Sequence, residues 1–375
     1  MSHKILFISS WFPTEENPTN GNFVQRHAEA ASTLQEVEIL HAAGVNNIED
    51  DYFFDDQTIN GVRTLKVYYK NSPIRFLNFF NRWKAYSKGF QKMQKPDLVH
   101  ASVMQNPLLY VVWLKLRYGI PYVVSEHWSA FLHTNQKKNS PAQLLVARIV
   151  AFFASYVLPV SETLKSGLEK KGFKNNFHVV GNVVDTDLFS AKNEKAKEPF
   201  VFLHVSNLVT LKNANKIIEA ANRLRKDFRN FELHIGGDGD LSELNALIYH
   251  LKAADFIKTF GYINQAEVSE KMRKSDFFIL FSDYETFSCV ALEALSSGTP
   301  VIATPVGVIP EVLNHVNGIV VNHSEEALYE AMKTTLIREK EFAAPEIMHQ
   351  FVENHFSKGV IAEKFSKIYH HVLSK

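Results

Sequence analysis

The chain has a single cysteine, Cys289, so no intramolecular disulfide can form and nothing points to an oxidising compartment. Long apolar runs are also missing. The longest, residues 108–114 and 144–158, fall short of the roughly 20 residues a spanning helix needs, and the second carries Arg148. The first ten residues, MSHKILFISS, enter a strand-like run without a signal-peptide core. Repeats and low-complexity tracts are absent too. These absences lead us to expect a soluble, cytoplasmic protein. Its 375 residues exceed the roughly 250–300 at which a single hydrophobic core stops growing, so two domains are expected.

Net charge is +1, yet the sign is unevenly distributed. Residues 1–56 carry two basic and ten acidic side chains, whereas residues 57–161 carry fourteen Lys or Arg against only Asp97 and Glu126. A local field of that size attracts anionic partners.

Short β-branched runs alternate with amphipathic segments almost from end to end. Residues 4–9, 37–40, 98–100, 122–125 and 157–160 read as strands, and 23–34, 108–118 and 142–155 as helices. The pattern breaks at residues 190–199, SAKNEKAKEP, which read as a linker. It then restarts with strands at 200–205, 231–236, 258–261, 277–281, 301–304 and 318–321. Helices are expected at 215–228, 241–253, 265–274 and 288–296, and the end, 345–375, reads as helical. Such alternation implies doubly wound parallel sheets, with ligands beyond the carboxyl ends of the strands.

The loop after the 277–281 strand reads Ser-Asp-Tyr-Glu285-Thr-Phe-Ser-Cys-Val-Ala-Leu-Glu293. Thr286 or Ser288 is placed to N-cap the following helix, whose free amides suit a diphosphate. Glu285 and Glu293 flank that helix start, where carboxylates accept hydrogen bonds from hydroxyls. The spacing alone is common. Around it, in order, stand Val205-Ser-Asn207 with Lys212, Gly236-Gly-Asp-Gly239, Ser297-Gly298-Thr-Pro300, Gly307-Val-Ile-Pro310-Glu311 and Asn317-Gly318. Earlier come Val160-Ser161-Glu-Thr-Leu and Gly181-Asn182-Val-Val-Asp185-Thr-Asp-Leu-Phe189.

This series resembles the large retaining glycosyltransferase family 4, of the GT-B fold, which carries a Glu-x7-Glu motif. The resemblance implies two Rossmann-like doubly wound domains facing each other across a cleft. Residues 1–189 would bind the acceptor and 200–354 the donor, and the helix of 355–375 would pack back on the first domain. It also implies transfer of a sugar from a UDP- or GDP-linked donor to a glycan or lipid-linked acceptor, in cell-surface polysaccharide or glycolipid synthesis. Glu285 would hold hydroxyls of the moving sugar and Glu293 the ribose. Lys212 would neutralise the leaving diphosphate, with the amides of Phe287, Ser288 and Cys289 assisting. Tyr262 lies where the base is received. Asn207 is a departure, since the family usually has arginine there.

In the first half, residues 122–130 form a strand ending in a polar, aromatic cluster. The resemblance gives His127 the donor sugar, and Glu126 and Trp128 are candidates for the acceptor pocket. Gly21, ending the first βα loop, would let backbone approach the diphosphate. No carboxylate is placed as a nucleophile, so a front-face displacement with retention is expected. A GT-B epimerase shares the architecture but gives no reason for the donor series. A non-catalytic scaffold is favoured by Asn207 alone.

No metal cofactor is expected. Asp185-Thr-Asp187 has the form of a carboxylate metal motif but sits in the junction segment, away from the donor loops. The Gly236–Gly239 loop is not a dinucleotide fingerprint. Aromatics interleave with cations around Arg75, Arg82, Trp83, Lys84 and Lys88. That pattern suits an anionic membrane, at about 1 kcal/mol per basic residue, and predicts a protein working at the inner face of the cell membrane. Nucleic acid is not expected, because no recognition motif accompanies the charge.

Overall fold

The computed structural model describes residues 2–14, 20–135, 139–192 and 198–374, and for Arg75 the backbone alone. The chain forms two compact units, Met1–Val183 with Lys358–Lys375, and Val184–Ser357. Each is a parallel-sheet α/β domain, as the alternating pattern requires.

Unit 1 runs β1 (Lys4–Ser9), α1 (Asn22–Ala31), β2 (Glu36–Val45), β3 (Tyr52–Ile59), β4 (Val62–Lys70), α2 (Arg75–Phe90), β5 (Leu98–Ser102), α3 (Leu109–Tyr118), β6 (Tyr122–Glu126), α4 (Pro141–Phe153), β7 (Tyr156–Pro159) and α5 (Glu162–Lys170). The sheet order is β3-β4-β2-β1-β5-β6-β7. All neighbours are parallel except β3 and β4, an antiparallel hairpin in which Ile59 pairs with Val62. Asn60 and Gly61, both at positive φ, form its two-residue turn, the conformation that matches strand twist. Neither strand is among those expected from the alternation, where this region is only the start of a basic span. The central strands are buried on both faces, so their apolar runs are nearly continuous.

Unit 2 runs β8 (Phe200–Val205), α6 (Ala214–Leu224), β9 (Phe231–Gly236), α7 (Ser242–His250), β10 (Ile257–Phe260), α8 (Gln265–Lys274), β11 (Phe277–Leu280), α9 (Cys289–Ser296), β12 (Val301–Ala303), α10 (Ile309–Val312), β13 (Gly318–Val320), α11 (Glu325–Leu336) and α12 (Pro345–Phe356). Its order is β10-β9-β8-β11-β12-β13, so the direction of winding reverses between β8 and β11. In unit 1 the same reversal falls between β1 and β5. Crevices open where the loops of two such strands part in opposite directions.

The helix expected over 345–375 is broken at Ser357, and the second piece, α13 (Lys358–Leu373), belongs to unit 1. Its Ile361, Phe365 and Tyr369 complete the apolar cluster formed by β1, α1 and β5. Gln35 donates to Ser366 at 3.0 Å, and the Tyr369 hydroxyl lies 2.5 Å from His100 Nδ1. The change of unit comes at Val183/Val184, ahead of the polar stretch 190–199. Lys192, from that stretch, donates to the Ser275 carbonyl at 2.8 Å within unit 2, and residues 193–197 lie outside the described residues.

Removing the Tyr369 hydroxyl leaves a fully buried imidazole nitrogen without its partner. Tyr369→Phe is predicted to lower stability by about 2 kcal/mol, read as a lower urea midpoint at unchanged slope. An unchanged midpoint would show that the Tyr369–His100 hydrogen bond does not contribute to holding α13 on unit 1.

Candidate functional site

The reversal between β8 and β11 positions the chemistry of unit 2. After β8 the chain makes one 3-10 turn, Thr210–Lys212, and Asn213 then takes a left-handed conformation (φ 52°) before α6. Asn213 Nδ2 donates to the Phe281 carbonyl at 3.0 Å and to Asp283 Oδ1 at 2.6 Å, and the Asp283 amide donates to the Leu211 carbonyl at 2.9 Å. The two loops are thereby laced together. Lys212 Nζ then meets Glu285 Oε1 at 2.5 Å, and the Ser282 hydroxyl donates to the same oxygen at 2.9 Å. Both charged side chains are about one-sixth exposed, 16% and 15%, so the pair is partly desolvated yet reachable.

Glycines let neighbouring loops close in on this point. A Cβ on Gly237 (φ +145°) would stand 1.7 Å from the Ser206 carbonyl oxygen, and one on Gly239 would stand 2.3 Å from that of Asn207. Asn207 itself is exposed. Gly307 (φ +56°) abuts Phe287 and Ser288 in the same way. Phe287 is buried and packs edge-on against Phe356 at 5.6 Å, while its carbonyl accepts the Val308 amide at 2.9 Å.

Ser288 precedes α9, but its side chain does not cap the helix. Its backbone is left-handed (φ 84°), and its buried hydroxyl has no partner among the described residues. The sequence-based cap is corrected accordingly: the turn is shaped by packing against Gly307, and the first amides of α9 lack a side-chain cap from Ser288. Thr286 and Cys289 are half-buried, and Glu293 is buried one turn into α9. Tyr262, after β10, is 73% exposed.

In unit 1, β6 delivers Glu126, His127 and Trp128. Glu126 is wholly buried: one carboxylate oxygen accepts the Met104 amide at 2.8 Å, the other those of His127 and Trp128 at 2.8 and 2.7 Å. This corrects its expected acceptor contact. The carboxylate ties the loop after β5 to the loop after β6 and fixes the backbone on which His127 stands. Burial pushes its pKa up to about 7 in spite of the three amides. His127 is 5% exposed, stacked under Phe23 at 3.8 Å and 5.4 Å from His27, and neither ring nitrogen has a partner among the described residues. Gly21 (φ 76°) caps α1, and a Cβ there would meet the Trp11 carbonyl at 2.6 Å. The chain's own loop thus demands glycine at position 21, whatever ligand approaches.

Comparison with known proteins bears on the same segments. The family model described as Glycosyl transferases group 1 matches residues 185–355, and the one described as Glycosyltransferase Family 4 matches residues 21–188. The chain belongs to the GT-B glycosyltransferases. Among curated relatives, N-acetyl-alpha-D-glucosaminyl L-malate synthase of Bacillus anthracis is 30% identical over 115 residues, 31% of this chain and 30% of that protein. Alpha-monoglucosyldiacylglycerol synthase of Streptococcus pneumoniae is 25% identical over 242 residues, 59% of this chain and 55% of that protein. The matches span about a third of the length of the first curated relatives. A solved Anabaena protein, HepE in complex with UDP, superposes with a TM-score of 0.74 at 19% identity, covering 98% of this chain and all of that one. That likeness shows the fold.

Other expected site residues of this glycosyltransferase fall elsewhere. Lys84 and Lys88 are exposed on α2, with Lys88 Nζ 5.1 Å from the Tyr52 ring centre. Trp83 instead turns inward among Tyr110 and Trp113 at 5.3 and 5.9 Å, and Arg82 donates to the buried Tyr69 hydroxyl at 3.1 Å. Both are half-buried, Arg82 held against β4 and Trp83 against α3, so neither is presented to solvent as fully as Lys84 and Lys88; the Arg75 side chain lies outside the described residues. Besides those lysines, α2 exposes apolar side chains at its start: Phe76 (69%), Leu77 and Phe80, with Ile74 just before the helix. Among the described residues no helix is long and apolar enough to cross a membrane. Asp185 accepts the Leu188 amide at 3.1 Å, a turn-closing role.

Burial lowers the pKa of His27, His41 and His204 to about 4, and that of His100 and His127 well below the ordinary value. Four of these five lie in unit 1. Below pH 6.5 the unfolded chain takes up protons that the folded chain refuses, so stability falls as pH drops toward 4. Glu126 acts oppositely, favouring the fold as pH drops from 7, but it is one group against four. At pH 5 each depressed histidine is predicted to have cost up to about 2 kcal/mol. All four tryptophans lie in unit 1, so tryptophan fluorescence follows its unfolding. The fluorescence midpoint is predicted to fall from pH 7 to 5; a flat profile would contradict the neutral buried cluster.

Proposed function

We propose that this glycosyltransferase moves a sugar from a UDP- or GDP-linked donor to a glycan or lipid-linked acceptor with retention of anomeric configuration, in synthesis of a cell-surface polysaccharide or glycolipid. The observation that carries the reading is the Lys212–Glu285 pair at the reversal point of unit 2. An arriving diphosphate competes for Lys212, and Glu285, released, accepts hydrogen bonds from the sugar. The amides of Phe287–Cys289 and the unpartnered Ser288 hydroxyl add donors where charge grows on the leaving phosphate. Glu293 takes the ribose, exposed Tyr262 stacks on the base, and Asn207 supplies a neutral donor in place of a second cation. In unit 1 the bare nitrogens of His127 meet a sugar hydroxyl once Phe23 moves aside, and Trp128 borders the acceptor.

In the displacement, the bond from the anomeric carbon to phosphate oxygen breaks as the acceptor oxygen bonds from the same face. The departing phosphate oxygen takes the acceptor's proton. Lys212 and the helix amides supply the positive charge, so no metal ion is required. The UDP bound by the Anabaena structure and the glycolipid named in the pneumococcal relative support this donor and acceptor chemistry. The exposed apolar start of α2 and its flanking lysines support peripheral work on an anionic membrane at its inner face; vesicle binding indifferent to lipid charge would contradict that.

A panel of UDP- and GDP-sugars is predicted to raise the melting temperature for one nucleotide class, and the stabilising sugar to turn over in excess EDTA. Glu285→Gln and Lys212→Met are each predicted to lower kcat/KM about 100-fold, about 2.7 kcal/mol. NMR of the product should show the donor's anomeric configuration. Turnover unaffected by Glu285→Gln, or an inverted anomer, would overturn the mechanism, and absence of any turnover would favour a non-catalytic scaffold, to which Asn207 alone points.

A further inference from the structure

Unit 1 holds two adjoining cavities that share one wall residue, Arg82. The larger, of about 510 Å³, lies past the end of β1 and against β2, β3 and β4, lined by polar Ser10, His41, Asp55 and Gln57 and by apolar Phe12 and Phe53. The smaller, of about 320 Å³, is lined by Tyr69, Phe79, Trp83, Tyr86 and Tyr110, with Asn106 at its exposed rim. Both chambers mix polar and apolar walls, the smaller having more aromatic rings, and a guanidinium stands between them.

The state of that guanidinium is informative. Arg82 Nε donates to the hydroxyl of Tyr69, which is 1% exposed, and the guanidinium carbon lies 5.8 Å from the Tyr69 ring centre. This fixes the fork's orientation. The two terminal nitrogens donate to no protein group, and no carboxylate pairs with Arg82, among the described residues. Asp55, the carboxylate of the larger cavity, is instead 3.4 Å from Lys66. A positioned, half-buried arginine that has no counter-ion among the described residues is prepared for a bidentate anion such as phosphate or carboxylate.

The aromatic chamber leads outward. Trp83 and Phe79 are 6.0 Å apart, Phe79 and Phe80 5.5 Å, and Phe80 and Phe76 5.0 Å, a row of rings running from the cavity to the exposed start of α2. Resting on the glycosyltransferase reading above, we infer that the acceptor is an anionic amphiphile held by unit 1. Its sugar or other polar head enters the larger cavity, its phosphate or carboxylate binds Arg82, and its hydrocarbon chain leaves along the rings of α2. Charge complementarity selects the anion, and the exposed start of α2, where Ile74, Phe76, Leu77 and Phe80 offer no polar atom, suits a hydrocarbon chain.

The test uses the full chain and calorimetric titration with dodecyl phosphate below its micelle-forming concentration, beside dodecyl maltoside and inorganic phosphate. Dodecyl phosphate should bind one to one and at least tenfold more tightly than either control. Arg82→Gln should weaken it at least tenfold. Asn106→Asp, an isosteric change at an exposed rim position, should do so as well by placing a negative charge in the cavity, even if Arg82→Gln does not fold. Equal binding of dodecyl maltoside would overturn the anion site, and equal binding of inorganic phosphate the hydrocarbon path. Indifference to both substitutions would overturn the assignment to Arg82. Nucleotide-induced stabilisation, which reads unit 2, is predicted to persist in both variants, so its loss from the wild type would count against the donor reading and not against this one.

Discussion

A lysine and a glutamate seventy-three residues apart in the chain meet where unit 2 reverses its winding. Their contact requires much of the surrounding architecture. β8 and β11 must be neighbours, their loops must part in opposite directions, and Asn213 must bind both Phe281 and Asp283 to hold the loops in register. Glycines 237, 239 and 307 must leave room for carbonyl oxygens that any Cβ would strike. A partly desolvated ion pair contributes modestly to stability, because the cost of removing two charges from water offsets most of their attraction. Its value to this protein is a cation and a carboxylate set in fixed positions, each able to exchange its present partner for a ligand group.

Unit 1 builds its site by a different route. There the charged anchor is not exchangeable: Glu126 is closed off by three amides and orders the backbone around His127. His127 itself is held neutral by burial, covered by Phe23, with its ring nitrogens unanswered among the described residues. Buried polar atoms without partners are costly, and such cost persists where a ligand later supplies the missing bonds. The unpartnered hydroxyl of Ser288 in unit 2 fits the same description.

Much of this was legible in the sequence. Strand β1, β8, β9 and helix α8 were placed to the residue, because period and flanking turns agree there. Lys212, Glu285, His127 and the glycine loops stood out through an ordered series of motifs, which spacing alone would not have revealed. The hairpin of β3 and β4 is not among the expected strands although Asn60-Gly61 is a strong turn signal, because polar Asp55, Asp56 and Gln57 blur the alternation of β3. The fate of Glu126 was not readable: a carboxylate at a strand end looks the same whether it faces substrate or three backbone amides. Arg82 and Trp83 read as surface residues by composition, and only the packing of α2 against β4 and α3 half-buries them. The break at Ser357 escaped notice because both flanking segments favour helix, and which unit each joins is decided by tertiary contact.

The central claim is that the loops around Lys212 and Glu285 receive the nucleotide. Hydrogen exchange of the full chain, with and without saturating UDP or GDP, tests it directly. Slowed exchange in residues 206–213 and 283–293, reaching at most the loop at Tyr262 besides, with one of the two nucleotides is the predicted result. Unchanged exchange in both segments, with protection appearing elsewhere, would contradict it.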